Sequence, residues 1–129
     1  MLLVDEVLEQ GAGYIVVGTA VDAKAWYAQA DGSMPAWVGI ELMAQAIGAH
    51  SGLESRALGE APQLGYLLGT RAYRSRVPSF PANARLTIVA RCVFRDESGL
   101  GAFDCELWQE GELLAESTLK VYETPRGSA

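Results

Sequence analysis

One histidine, two cysteines and ten basic residues are few for a chain of 129 amino acids, and each scarcity closes off a class of function. The lone His has no Cys or acidic partners at ligand spacing, so nothing resembles a zinc site, and no phosphate-binding Gly loop or Ser-His-Asp set is visible. Neither a metal nor a cofactor is expected. Ten Lys and Arg against sixteen Asp and Glu leave a formal net charge of -6 and a pI near 4.7. Nucleic acid and anionic membranes both call for clustered basic residues, so neither is expected as a partner. No apolar run reaches the ~20 residues of a membrane span, and the opening Met1-Leu2-Leu3-Val4-Asp5 turns acidic too soon for a signal peptide. The expected compartment is the cytoplasm, where both cysteines stay reduced. A chain of this length buries roughly two-thirds of its unfolded surface, enough for a core without covalent staples.

The stretch that organises the rest is Met34 to His50. Pro35 suits the first turn of a helix, Ser33 is placed to cap it, and Gly52 stands where it would stop, which predicts about four turns. From Ala36 to His50 only Glu41, Gln45 and His50 are polar. A helix without a wet stripe is expected to be buried on all sides. Glu41 and Gln45, four apart, then share one face, and a carboxylate in such surroundings needs a reason to be there.

Strands are expected on either side. Leu2 to Leu8 and Tyr14 to Val21 flank a turn at Gln10-Gly11-Ala12-Gly13, and Asp22 to Ser33 reads as a loop leading into the helix. Beyond the helix, Ser51 to Gly59 adds a short helical turn and Gln63 to Arg76 carries a strand. Pro78, Pro81 and Asn83 mark a loop. Leu86, Ile88, Ala90, Cys92 and Phe94 alternate with polar neighbours, the strand ends in a turn at Glu97-Ser98-Gly99-Leu100, and two further strands are joined at Glu110-Gly111. With that first turn centred on Ser98-Gly99, Cys92 pairs with Cys105 and Phe94 with Phe103. The class is α+β: one domain over residues 1–124, an antiparallel β-sheet wrapped around one long central helix, with 125–129 as a flexible tail.

Met34-Pro35-Ala36-Trp37-Val38-Gly39-Ile40-Glu41-Leu42-Met43-Ala44-Gln45 resembles the helix-start motif of the hotdog-fold β-hydroxyacyl-acyl-carrier-protein dehydratases, in which Met-Pro-Gly leads to an acidic residue and then Gln. Met1 to Asp5 is similar to that family's first strand and Gly69-Thr70-Arg71-Ala72-Tyr73 to its strand after the helix. Within the family the chain looks most like the dehydratase-like proteins encoded with aryl-polyene pathways.

The resemblance implies a site shared between protomers. A His before the helix of one protomer faces the acidic residue on the helix of the other, and a backbone N–H at the helix start binds the thioester oxygen. Loss of water from a 3-hydroxyacyl thioester needs a base at the α-carbon, an acid for the departing hydroxyl and donors for the enolate-like oxygen. On this chain Glu41 takes the acidic role, and Ala36, where the family has Gly, takes the oxyanion role with Trp37 beside it. Tyr27 occupies the position of the His. A phenol with an ordinary pKa near 10 is a poor base at neutral pH, though Tyr27 is able to donate a proton or hold the hydroxyl. Gln45 and His50 are supporting candidates, His50 also suiting a helix C-terminus, where it meets the dipole or a carbonyl. The implied substrate is an acyl-carrier-protein or coenzyme A thioester, and the implied assembly a homodimer or a heterodimer with a His-bearing hotdog protein. Two alternatives keep the same residues: a thioesterase in which Glu41 activates water or attacks the thioester, and a non-catalytic acyl-binding subunit that braces an active partner.

Overall fold

A computed structural model describes residues 3–59 and 65–123. Strands β1 (Glu6–Gly11) and β2 (Tyr14–Ala20) form a hairpin, and a short strand β3 (Met34–Pro35) precedes the helix α1 (Val38–Ala57). The chain continues through β4 (Gly65–Ser75), short β5 (Ser79–Phe80), β6 (Arg85–Arg95), β7 (Leu100–Gln109) and β8 (Glu112–Glu123). Six strands make one antiparallel sheet in the order β1-β2-β6-β7-β8-β4, and β3 pairs with β5 apart from it.

Period-two alternation aims Ile15, Val17, Leu86, Ile88, Ala90, Phe103, Leu107 and Leu119 at the helix, all fully or almost fully buried. The helix answers with Val38, Leu42, Met43, Ala46 and Ile47. Burying one such large side chain stabilises the fold by roughly 1.5–3 kcal/mol, so this contact fixes which side of α1 faces the sheet. The other side, carrying Trp37, Glu41 and Gly48, is exposed. The helix is therefore not enclosed on all sides as its composition predicted. Only the face at three- and four-residue spacing meets the sheet, and the apolar residues opposite are mostly Ala and Gly, which need no such cover.

The helix is also longer than expected and starts later. Pro35 lies in β3 rather than in the first helical turn, because Met34 and Pro35 pair with Phe80 and Ser79. Ser33 caps nothing: its hydroxyl lies between Gln29 Oε1 at 2.9 Å and Asp31 Oδ1 at 2.5 Å within the preceding loop. Gly52 does not stop the helix, which runs on to Ala57 and ends at Gly59 in the left-handed region, φ 70°.

The first strand begins at Glu6; Leu3 to Asp5 lie outside it. The Cys92–Cys105 pairing is corrected too. Cys105 stands opposite Ala90 and Cys92 opposite Phe103: the hairpin loop is centred on Ser98, which sets Phe94 opposite Ala102, and a bulge at Val93 shifts the pairs beyond it by one more residue, with Phe94 52% exposed. Both cysteines are free thiols. The expected C-terminal tail lies outside the described residues.

Candidate functional site

The start of α1 is set by the β3–β5 pair. Continuing that ladder, the Ala36 N–H donates to the Pro78 carbonyl at 3.0 Å. The first turn then tightens, Gly39 N–H donating to Ala36 O at 3.0 Å and Ile40 N–H to Trp37 O at 3.2 Å. No side chain caps the end. Among the described residues the Trp37 and Val38 N–H groups find no acceptor. Of the two donors named from the sequence, Ala36 is thus committed to Pro78 and Trp37 is open, at the positive end of the helix.

Glu41 lies on the exposed face in the first turn, contrary to the buried setting expected for it. Its Oε1 accepts a hydrogen bond from Gln45 Nε2 at 3.2 Å. Gln45 in turn accepts from the Leu3 and Val4 N–H groups at 2.6 and 3.2 Å. One carboxamide therefore pins the N-terminal segment across the helix and holds the Glu41 carboxylate. No Lys or Arg pairs with Glu41 among the described residues.

Tyr27 is 6% exposed and its hydroxyl accepts from the Asp22 N–H at 2.8 Å. It packs edge-on against Trp26, whose ring centroid is 5.6 Å away, and Trp26 lies 6.2 Å from Trp37. The loop before the helix is thereby brought to the helix start, with Trp26 and Trp37 55% and 60% exposed.

His50 does not belong to this group. It sits in mid-helix rather than at a C-terminus, because the helix runs seven residues further, and it is fully buried on the sheet side. Gln10 Nε2 donates to its Nδ1 at 3.2 Å, and Nε2 lies 3.4 Å from Glu54 Oε2 without a hydrogen bond. Glu54 Oε1 is 3.3 Å from Arg95 Nη1. These groups tie β1, α1 and β6 together, which is a structural task.

Two residues were missed from the sequence. Tyr73, from β4, donates its hydroxyl to the Ala36 carbonyl at 2.5 Å, and Gly39 makes room for it, since a Cβ there would collide with that hydroxyl. Only Gly39 carried a signal: a glycine within a helix asks for a close neighbour. No cluster of His, Cys, Asp and Glu suited to a metal exists among the described residues. A depression lined by Ala72, Arg74, Asp104, Glu106, Glu116 and Thr118 opens on the outer face of the sheet and contains no candidate residue. No described helix is long and apolar enough to cross a membrane.

The start of α1 thus carries a carboxylate on an uncovered helix face and an N–H without an acceptor among the described residues, while the single His is buried elsewhere. Among solved structures, the dehydratase heterocomplex ApeI:P from Xenorhabdus doucetiae contains a chain of the same fold at TM-score 0.89 and 32% identity, covering 97% of this chain and 84% of that one. A hypothetical thioesterase from Streptococcus pneumoniae, solved with coenzyme A, superposes at TM-score 0.72 with 19% identity over 95% and 90% of the two chains. The AziG protein of S. sahachiroi does so at 0.70 with 18% identity over 93% and 90%. These two likenesses extend to the fold alone. No curated protein matches the chain. The family model of the ApeP dehydratases matches residues 1–129, and the chain, a hotdog-fold protein, belongs to that ApeP-like family.

Proposed function

We propose that this protein is one half of a 3-hydroxyacyl thioester dehydratase, completed by a His-bearing hotdog partner. The observation that carries the proposal is an exposed Glu41, without a cation partner among the described residues, on the same helix start as an open Trp37 N–H, in a chain whose single His is buried elsewhere. The likeness to a chain of a heterocomplex supports a mixed assembly. In it the thioester oxygen accepts from Trp37 N–H at the positive helix end. The partner's imidazole takes the α-proton, the C–O bond at the β-carbon breaks as the double bond forms, and Glu41, entering the cycle as the carboxylic acid, passes its proton to the departing hydroxyl, releasing water and leaving the carboxylate. The imidazolium then returns its proton to Glu41. Tyr27 lines the pocket and Gln45 holds the carboxylate. The carrier is an acyl-carrier-protein or coenzyme A thioester.

The test offers 3-hydroxyacyl and plain acyl thioesters to the protein alone and with a His-bearing hotdog partner, following water loss and thiol release separately. The expected result is little or no dehydration by the homodimer, dehydration by the mixture, and a loss of at least ~100-fold with Glu41→Gln. Because Glu41 is exposed, that substitution should shift stability by no more than about 0.5 kcal/mol. Thiol release by the homodimer that depends on Glu41 would instead make the protein a thioesterase. Silence in every mixture would leave it a non-catalytic subunit. Brisk dehydration by the homodimer surviving Glu41→Gln would refute the shared site.

A further inference from the structure

We infer that Tyr73 is a positioning residue for the oxyanion donor, acting through the one peptide unit that joins Ala36 to Trp37. The inference rests on the role just proposed for the Trp37 N–H. That peptide unit has two polar ends: its carbonyl belongs to Ala36 and its N–H to Trp37. In a planar trans peptide the two point in opposite directions, and no described peptide is cis.

A carbonyl only accepts, so at 2.5 Å the phenol must be the donor to Ala36 O. Gly39 N–H donates to the same oxygen from 3.0 Å. Two donors from different elements hold the plane, and the Trp37 N–H is thereby held pointing the other way. Drawing electron density toward the carbonyl also makes the N–H at the far end of the unit a stronger donor. The Ala36 N–H, which belongs to the preceding peptide unit, is anchored separately on Pro78 O. Both peptide planes at the helix start are therefore fixed before any substrate arrives, as electrostatic preorganisation requires.

Three features deliver the hydroxyl to that carbonyl. A bulge in β4 puts Ala72 and Tyr73 together opposite the single position of Ser117, with Ala72 at φ 51°, a strained value for a residue with a side chain. The bulge brings Tyr73 to the helix start. Gly39 then supplies the notch, since any side chain there would meet the phenol. Burial pushes the Tyr73 pKa up to about 12, so at neutral pH the group keeps its proton. A tyrosine needed only for packing would require its ring and not its oxygen.

The experiment separates these roles. Tyr73→Phe removes one oxygen, and 3-fluorotyrosine placed at residue 73 makes the phenol a stronger donor. Both are assayed with 3-hydroxyacyl thioester in the presence of the His-bearing partner, and the Trp37 amide nitrogen is followed by NMR in this chain alone. Tyr73→Phe is expected to lower kcat about 10- to 100-fold with KM held within about twofold, and to move the Trp37 nitrogen upfield. Fluorotyrosine is expected to leave kcat at or above wild type and to move the same nitrogen downfield. An unmoved Trp37 resonance in either variant, or a Tyr73→Phe protein with wild-type kcat, overturns the inference. If the wild-type mixture dehydrates nothing, the proposed reaction fails, while the Trp37 resonance still decides whether Tyr73 sets that peptide. If Tyr73→Phe does not fold, the fluorotyrosine protein carries the test.

Discussion

At the scale of single residues, His50 links stability to pH. Burial is the main reason its pKa lies below the usual 6.5; the Glu54 carboxylate opposes this, Arg95 reinforces it and Glu123 opposes it again. A proton therefore binds the unfolded chain more readily than the folded one. Stability rises with pH across the interval between the folded value and 6.5, and is lost as pH falls below about 6.5, with a slope of at most ~1.4 kcal/mol per pH unit for one site. Urea unfolding at pH 7.5 and 5.5 should show this loss in the wild type. His50→Gln should flatten it while costing about 1–3 kcal/mol at pH 7.5, because Gln10 loses its partner. A slope that His50→Gln leaves unchanged would assign the effect to other groups. At this scale the sequence was informative about identity more than surroundings. Glu41 and Gln45 stood out as polar residues four apart in an apolar helix and Trp37 only through the family resemblance, but whether Glu41 was wet depended on which face the sheet took. Tyr73 could not be found, because only the bulge at Ala72 sends its hydroxyl to a carbonyl 37 residues earlier in the chain.

At the scale of elements, the helix contrasts two glycines. Gly39 is pressed by Tyr73, whereas nothing lies within 4 Å of a Cβ added at the exposed Gly48. Gly48→Ala should stabilise the isolated chain by about 0.5–1 kcal/mol through reduced backbone entropy. Gly39→Ala should destabilise it by about 1–3 kcal/mol, since the clash outweighs the same gain. Urea midpoints with an unchanged m value check both, and equal effects at the two sites would contradict the notch. The long strands were legible because alternation persists over ten residues. The helix start was not, since Pro35 suits a first helical turn and an isolated strand pair equally, and the partner residues Ser79 and Phe80 lie more than forty positions away. The Cys92–Cys105 register failed for a similar reason. The turn is centred on Ser98 rather than between Ser98 and Gly99, which already sets Phe94 opposite Ala102, and one extra residue at Val93 shifts every pair beyond it once more; nothing in the sequence announces a bulge.

At the scale of the whole molecule, β1 and β4 are the free edges of the sheet. Strand β4 exposes Leu67 and Leu68, at 43% and 57%, and an open apolar edge invites a second chain. We expect a dimer joined along β4, homotypic in the isolated protein and mixed with the His-bearing partner. Light scattering should give twice 13.8 kDa for the wild type and a monomer for Leu68→Lys, which should also lose activity in the mixture. A Leu68→Lys protein that stays dimeric and active would move the interface elsewhere. The aromatic corner at the helix start has an optical consequence. Two of the three tryptophans of the chain, Trp26 and Trp37, lie 6.2 Å apart and in solvent, beside the open N–H. Light absorbed by one indole is readily passed to the other at this separation, so a partner or ligand that covers the corner should change the colour of the emission without any added dye.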